Sequence, residues 1–257
     1  MTLVDSHTHL YLEEFNLDRN EIIRKAIDSG VKYFFLPNVD SDTVVPLLNV
    51  SRAFPENCFP MIGLHPTSVN ENFKMEFSKI SEWIGKEKFV AIGEIGIDLY
   101  WDKTFFAEQI EVFKNQLFLA KELNLPVVIH SRNSMNEIFQ VLKDKAFCDI
   151  KGIFHCYSGN VIQAKKVVEM GYLLGIGGVV TYKNSILPDV IREVGINNIV
   201  LETDAPYLTP VPFRGKRNES SYINLIAEKV SEILNIDKSV VAEFTTRNAL
   251  TIFGINE

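Results

Sequence analysis

Cysteine is scarce in this chain and basic charge is outnumbered. The three cysteines, Cys58, Cys148 and Cys156, are odd in number and show no CxxC spacing. That excludes a disulfide framework and a cysteine-rich structural zinc site. Lys and Arg total 26 against 33 Asp and Glu, a formal net charge of −7. With no global basic field to draw phosphates in, any nucleic-acid role has to rest on a local site. No stretch approaches the roughly 18 consecutive apolar residues of a membrane span, so no membrane partner is expected. Asp5, His7 and His9 interrupt any apolar leader, and with the unpaired cysteines this gives the expectation of a cytoplasmic protein. Linkers, repeats and low-complexity tracts are also lacking, and nothing marks an obligate protein partner. The expectation is a single domain over 1–257, near the upper size for one hydrophobic core.

What the chain does have is regular alternation. Hydrophobic residues make up 46% of it, enough for a large packed interior. Short β-rich apolar runs predict strands over 3–5, 31–36, 59–64, 90–94, 126–129, 152–154, 172–176 and 199–203. Helical patterns separate them, over 19–29, 41–52, 75–86, 135–145, 161–170 and 187–194, with 220–234 and 238–253 after the last strand. The clearest helix carries Phe106, Ile110, Phe113, Leu117 and Ala120 on one face, the spacing of an amphipathic α-helix. Eight strands alternating with helices predict an α/β fold, a (β/α)₈ TIM barrel, with an open doubly wound sheet as the competing topology.

The five histidines, His7, His9, His65, His130 and His155, all fall at or just past the end of a predicted strand. Active sites of such barrels gather on that C-terminal face. In Val4-Asp5-Ser6-His7-Thr8-His9 the two imidazoles are spaced to share a strand face and reach one ion. Asp5 stands where it could order that pair. Glu94 sits in the apolar run Val90-Ala91-Ile92-Gly93-Glu94-Ile95, where an unpaired carboxylate is costly to desolvate and needs a cation. His130 ends Val127-Val128-Ile129-His130, and His155 ends Gly152-Ile153-Phe154-His155. Asp204 follows the eighth run, placed to bind metal and to take a proton from an attacking water. Glu202, deeper on the same face, reads as its supporting neighbour.

Four histidines and two carboxylates suffice for two divalent ions. A natural partition gives His7, His9 and Asp204 to one and His130 and His155 to the other, with Glu94 between. Two such ions can activate a water and clamp both oxygens of a displacement, which is hydrolysis. Histidine-rich ligation favours zinc, manganese or iron on ligand softness, and magnesium joins the candidates where the substrate itself supplies phosphate oxygens.

Seven segments together carry a resemblance: Val4-Asp5-Ser6-His7-Thr8-His9-Leu10, Gly63-Leu64-His65-Pro66, Ala91-Ile92-Gly93-Glu94-Ile95-Gly96-Ile97-Asp98, Pro126-Val127-Val128-Ile129-His130-Ser131-Arg132, His155-Cys156-Tyr157-Ser158-Gly159, Glu202-Thr203-Asp204-Ala205-Pro206-Tyr207-Leu208 and Arg214-Gly215-Lys216-Arg217-Asn218. In this order the sequence resembles the TatD family of metal-dependent deoxyribonucleases, within the amidohydrolase superfamily. The resemblance implies a (β/α)₈ barrel and a 3′→5′ exodeoxyribonuclease using a two-metal activated water on DNA, single-stranded or at an end. It implies metal binding at His7, His9, Glu94, His130, His155 and Asp204, and it adds His65 as a pocket residue near the substrate phosphate. Asn133, Phe213 and Ser220 depart from the family's pattern, outside the presumed ligands.

Arg132 and Arg214 are the expected phosphate contacts, since arginine forks onto phosphate in bidentate fashion. For Lys216 and Arg217 a solvated loop is as good a reading as contact. Trp101, Tyr157 and Tyr207 could stack on a base, though packing is the commoner role for any one of them. Gly175, Gly177 and Gly178 could let backbone approach the ligand or the metals. The competing function is a metal-dependent ester or amide hydrolase, acting on a small cyclic amide or an aminoacyl-tRNA ester. A basic mouth of Arg132 and Arg214–Arg217 is what separates the two.

Overall fold

Apolar runs too short for a helix pair side by side, and the amphipathic stretches between them pack outside. In a computed structural model, which describes residues 1–256, the strands are β1 (Leu3–Asp5), β2 (Val31–Pro37), β3 (Cys58–Met61), β4 (Ile92–Asp98), β5 (Val127–Arg132), β6 (Gly152–Phe154), β7 (Leu173–Ile176) and β8 (Ile199–Leu201). Helices α1 (Arg19–Asp28), α2 (Val44–Ala53), α3 (Phe73–Ser81), α4 (Phe106–Leu123), α5 (Met135–Leu142), α6 (Val161–Glu169), α7 (Leu187–Val194) and α8 (Ile223–Leu234) follow the strands in turn, and α9 (Lys238–Phe253) comes last. Glu257, the last residue of the expected domain, lies outside the described residues.

All neighbouring strands are parallel, in the orders β1-β2-β3 and β4-β5-β6-β7-β8. Both seams are closed. At one, Ile62 bridges to Ile92 and the Gly93 N–H donates to the Ile62 carbonyl at 2.9 Å. At the other, the Ser6 N–H donates to the Leu201 carbonyl at 3.0 Å and the Asp204 N–H to the His7 carbonyl at 2.9 Å. The fold is therefore a (β/α)₈ barrel, not an open sheet.

Alternation along the strands separates two cores. Val4, Phe35, Met61, Ala91, Val128, Ile153 and Val200 fill the barrel. Helix α9 closes the end away from the histidines, with the Phe253 ring stacked 3.8 Å from Phe35. The larger core lies between strands and helices. There α4 buries Phe113, Leu117 and Ala120, while Phe106 and Ile110 from the same face pack partly buried against it.

Several boundaries differ from expectation. β3 stops at Met61 and β8 at Leu201; beyond them the Gly63 and Leu64 amides bond to side chains, of Asn38 and Gln116, and Glu202 keeps one backbone bond, its N–H to the Ile176 carbonyl. β4 starts two residues late and runs to Asp98. Its register with β5 slips between Gly93 and Ile95. Glu94 is thus the extra residue of a bulge, a device that re-aims a side chain.

Candidate metal centre

Each histidine leaves a strand end in the direction that the adjoining loop dictates. The loop carrying His65 is fixed by amides, with the Gly63 N–H donating to Asn38 Oδ1 and the Leu64 N–H to Gln116 Oε1, both at 2.6 Å. Asp204 has a φ of 55°, a left-handed conformation that Asp tolerates better than most residues. Its side chain turns back over the barrel mouth.

Six expected residues converge there. His7 Nε2 lies 3.1 Å from Glu94 Oε2 and 3.7 Å from Asp204 Oδ1. His9 Nε2 lies 3.7 Å from Glu94 Oε2 and 3.4 Å from Asp204 Oδ1, and 3.2 Å from His7 Nε2. Four ligands about 2.1 Å from a tetrahedral ion sit about 3.4 Å apart, so these separations match those around one cation. The other Glu94 oxygen, Oε1, faces His130 Nδ1 at 2.8 Å and His155 Nε2 at 3.0 Å. The His155 ring stacks on His7 with centroids 3.7 Å apart.

Hydrogen bonds outside the cluster decide which nitrogen carries a lone pair. Tyr11 donates its hydroxyl proton to the Pro37 carbonyl at 2.6 Å, so at 2.9 Å it accepts from His9 Nδ1–H. His9 Nε2 is left free to ligate. Asp98 Oδ2 accepts from His130 Nε2 at 2.8 Å, which turns the Nδ1 lone pair toward Glu94. On His155 the carboxylate of Glu202 lies 3.4 Å from Nδ1, with Nε2 facing inward. His65 is different. Its Nδ1 accepts the Thr67 N–H at 3.1 Å, so Nε2 holds the proton and points at Glu94 Oε1 from 3.2 Å. His65, Glu94 and His130 do come close enough to share an ion, but a protonated Nε2 is a donor, not a ligand.

The charges fit a cation. Burial opposes ionisation of Glu94, yet the surrounding His155, His65 and His7 hold its carboxyl well below the usual range. Asp204 is buried too, and hydrogen bonding to His9 and the nearby imidazoles hold it low. Burial works against charge on His155, but Glu94 and Glu202 outweigh it and raise its pKa well above ordinary histidine. Burial lowers His7 and His65. Buried carboxylates packed against so many imidazole nitrogens need positive charge between them, a proton such as the one His155 favours or a metal ion in its place, so the donor set suits a divalent metal.

A cleft of about 720 Å³ opens above this floor, walled by Leu12, Val39, Trp101, Arg132, Tyr207 and Leu208 among others. Arg132 lines it. Arg214 stands over the Tyr182 ring, 4.4 Å from its centroid, outside the cleft lining. Arg217 forks onto Asp18 at 2.9 and 2.6 Å and so is held away from the mouth. Tyr157 is buried, its hydroxyl donating to the Asn160 carbonyl at 2.8 Å.

Other neighbours differ from expectation. Asp5 does not touch His7; it accepts from the Thr203 N–H and hydroxyl at 2.8 and 2.6 Å, tying β1 to the loop that bears Asp204. Gly175 makes room for Glu202, whose carboxylate a Cβ there would strike, whereas a Cβ at Gly177 would meet Glu202 only at ordinary contact distance; Gly178 fits under Leu208 and Pro210. Asp98 and Tyr11 were not singled out by sequence. Their signal was the two-residue period from Glu94 through Gly96 and from His9.

The family model described as TatD related DNase matches residues 4–254. The chain is 37% identical over 255 residues to the uncharacterized metal-dependent hydrolase YabD of Bacillus subtilis, covering 99% of this chain and 100% of that one. It is 30% identical over 262 residues to the uncharacterized metal-dependent hydrolase YcfH of Escherichia coli, covering 100% and 97%. Among solved structures, YjjV, a TatD homolog of E. coli, superposes with a TM-score of 0.92 at 27% identity, covering 99% and 98% of the two chains.

Proposed function

Because the chain belongs to the TatD-related DNase family, and is with it a metal-dependent hydrolase, we propose that it cleaves phosphodiester bonds at an end of single-stranded DNA, removing nucleotides 3′→5′ with two divalent ions. The observation that carries this reading is Glu94, whose two oxygens each face a separate set of imidazole nitrogens under one open cleft.

His7, His9 and Asp204 would hold one ion and His130 and His155 the other, with Glu94 shared. Divalent ions held there would acidify a water and offset the charge of the phosphodiester. Asp204, ionised at neutral pH, accepts the proton of the attacking water. His65 presents Nε2–H to a non-bridging phosphate oxygen, a role that its bond from Thr67 reserves for it. Arg132 offers its fork to a neighbouring phosphate at the rim, and Arg214, outside the cleft lining, would meet only a strand that extends beyond it. Asp98 and Tyr11 act through His130 and His9 by fixing their tautomers.

One observation favours the competing ester or amide hydrolase. The basic mouth is thinner than its sequence suggests, since Arg217 is engaged by Asp18. The test is metal-stripped protein incubated with single-stranded DNA labelled at either end, with magnesium, manganese or zinc restored and Asp204→Asn alongside. The expected result is a ladder shortening from the 3′ end that needs both metal and Asp204, the variant losing activity by a factor of at least 10². No cleavage under any metal would transfer the site to ester or amide substrates.

A further inference from the structure

Two large side chains at the cleft mouth lie open to solvent. Tyr100 is 51% exposed and Trp101 69%, edge to face with centroids 4.9 Å apart. A tryptophan this exposed is unusual, and the loop that bears it is pinned. Asp98 Oδ1 accepts the N–H of Tyr100 at 2.8 Å and of Trp101 at 3.1 Å. The same carboxylate, through Oδ2, takes the Nε2 proton of His130. One buried group therefore sets the aromatic pair in register with the candidate metal centre.

Arg132 completes the arrangement. Two residues beyond His130 on the same strand, it lays its guanidinium 3.9 Å from the Tyr100 centroid and 5.3 Å from that of Trp101. Its guanidinium carbon lies over the Tyr100 ring, and among the described residues no carboxylate or carbonyl takes its protons. Its donors are thus available for a phosphate. Trp101 and Arg132 line the same cleft as His65, Glu94 and Asp204.

We propose that Tyr100, Trp101 and Arg132 form a platform on which an unpaired base next to the scissile phosphodiester stacks, making Trp101 a specificity determinant for single-stranded ends. The proposal rests on the phosphodiesterase reading and assigns that site's preference for unpaired ends to named side chains. A base within a duplex is stacked on both faces and cannot reach Trp101. An unpaired base can, whatever its identity, because every base has a π-face. Arg132, held by the same aromatics, then meets the phosphate joined to that base.

The test has a binding arm and a turnover arm, both on the full chain. Metal-free protein is titrated with a single-stranded deoxyoligonucleotide, a blunt duplex, and an oligonucleotide abasic at its last two 3′ positions, while tryptophan fluorescence is followed. Only the intact single strand should quench, and Trp101→Phe should remove that signal. With metal restored, Trp101→Ala should raise KM for the single strand about tenfold at unchanged kcat, and Trp101→Phe should recover most of it. Wild type on the abasic strand should match Trp101→Ala on the intact one. Cleavage with KM unaffected by Trp101→Ala would overturn the platform and leave the phosphodiesterase standing. Quenching by the intact strand alone, with no cleavage under any metal, would support the platform and sink the phosphodiesterase.

Discussion

At the residue scale, the site is a set of tautomers fixed from behind. Tyr11 on His9 and Asp98 on His130 leave one lone pair each aimed inward, while the Thr67 N–H leaves His65 a proton. Two histidines carry the pH dependence: against its burial, Asp98 and Glu94 raise His130, and His155 is raised further. Burial opposes its charge, but Glu94 and Glu202 raise its pKa well above the ordinary value in the metal-free fold. Charged His155 therefore stabilises that fold fully below the unfolded value near 6.5, and the contribution fades as pH rises through the raised one. A metal held by His155 would displace that proton. Metal addition at pH 7 should release a proton, and affinity should rise up to about tenfold per pH unit between 6 and 8. Titration in weakly buffered solution, repeated at three pH values, checks this; a flat affinity with no proton release would remove His155 from the ligand set.

Residue type decided what could be read in advance at this scale. His7, His9, Glu94, His130, His155 and Asp204 drew notice because imidazoles and acids are rare at the ends of apolar runs. Asp98 and Tyr11 act by hydrogen bonds that many acids and tyrosines make, so type alone did not mark them. The loss of Arg217 to Asp18 joins loops 199 positions apart, a contact that no local pattern contains.

At the element scale, hydrophobic period fixed where strands and helices lie, and loop chemistry moved their ends. β4 shows both. Its apolar run was legible from Val90 onward, but the bulge at Glu94 and the continuation to Asp98 depend on pairing with β5. Helix α4 was legible throughout, because its buried face repeats at 3.6-residue spacing. Phe113, fully buried on that face, is its anchor. Phe113→Ala should lower unfolding free energy by about 3–5 kcal/mol, read by denaturant titration of metal-free protein. A loss under about 1 kcal/mol would mean that the helix is not packed as described.

At the scale of the whole molecule, closure of eight parallel strands brings residues from β1, β4, β5, β6 and β8 to one mouth. Each strand supplies one or two donors that are individually commonplace. Their convergence was legible because a (β/α)₈ barrel gathers strand ends by construction. Opposite that mouth, α9 seals the barrel floor with Phe253, leaving the chemistry a single face. Among the described residues no helix is long and apolar enough to cross a membrane.

The central claim is that Glu94 joins two cation positions, one against His7, His9 and Asp204 and one against His130 and His155. Anomalous diffraction from crystals grown with manganese measures this directly. The account predicts two peaks roughly 3.5–4 Å apart, one beside each Glu94 oxygen, and neither at that occupancy in Glu94→Gln. A single peak distant from Glu94, or two peaks unchanged in Glu94→Gln, would contradict it.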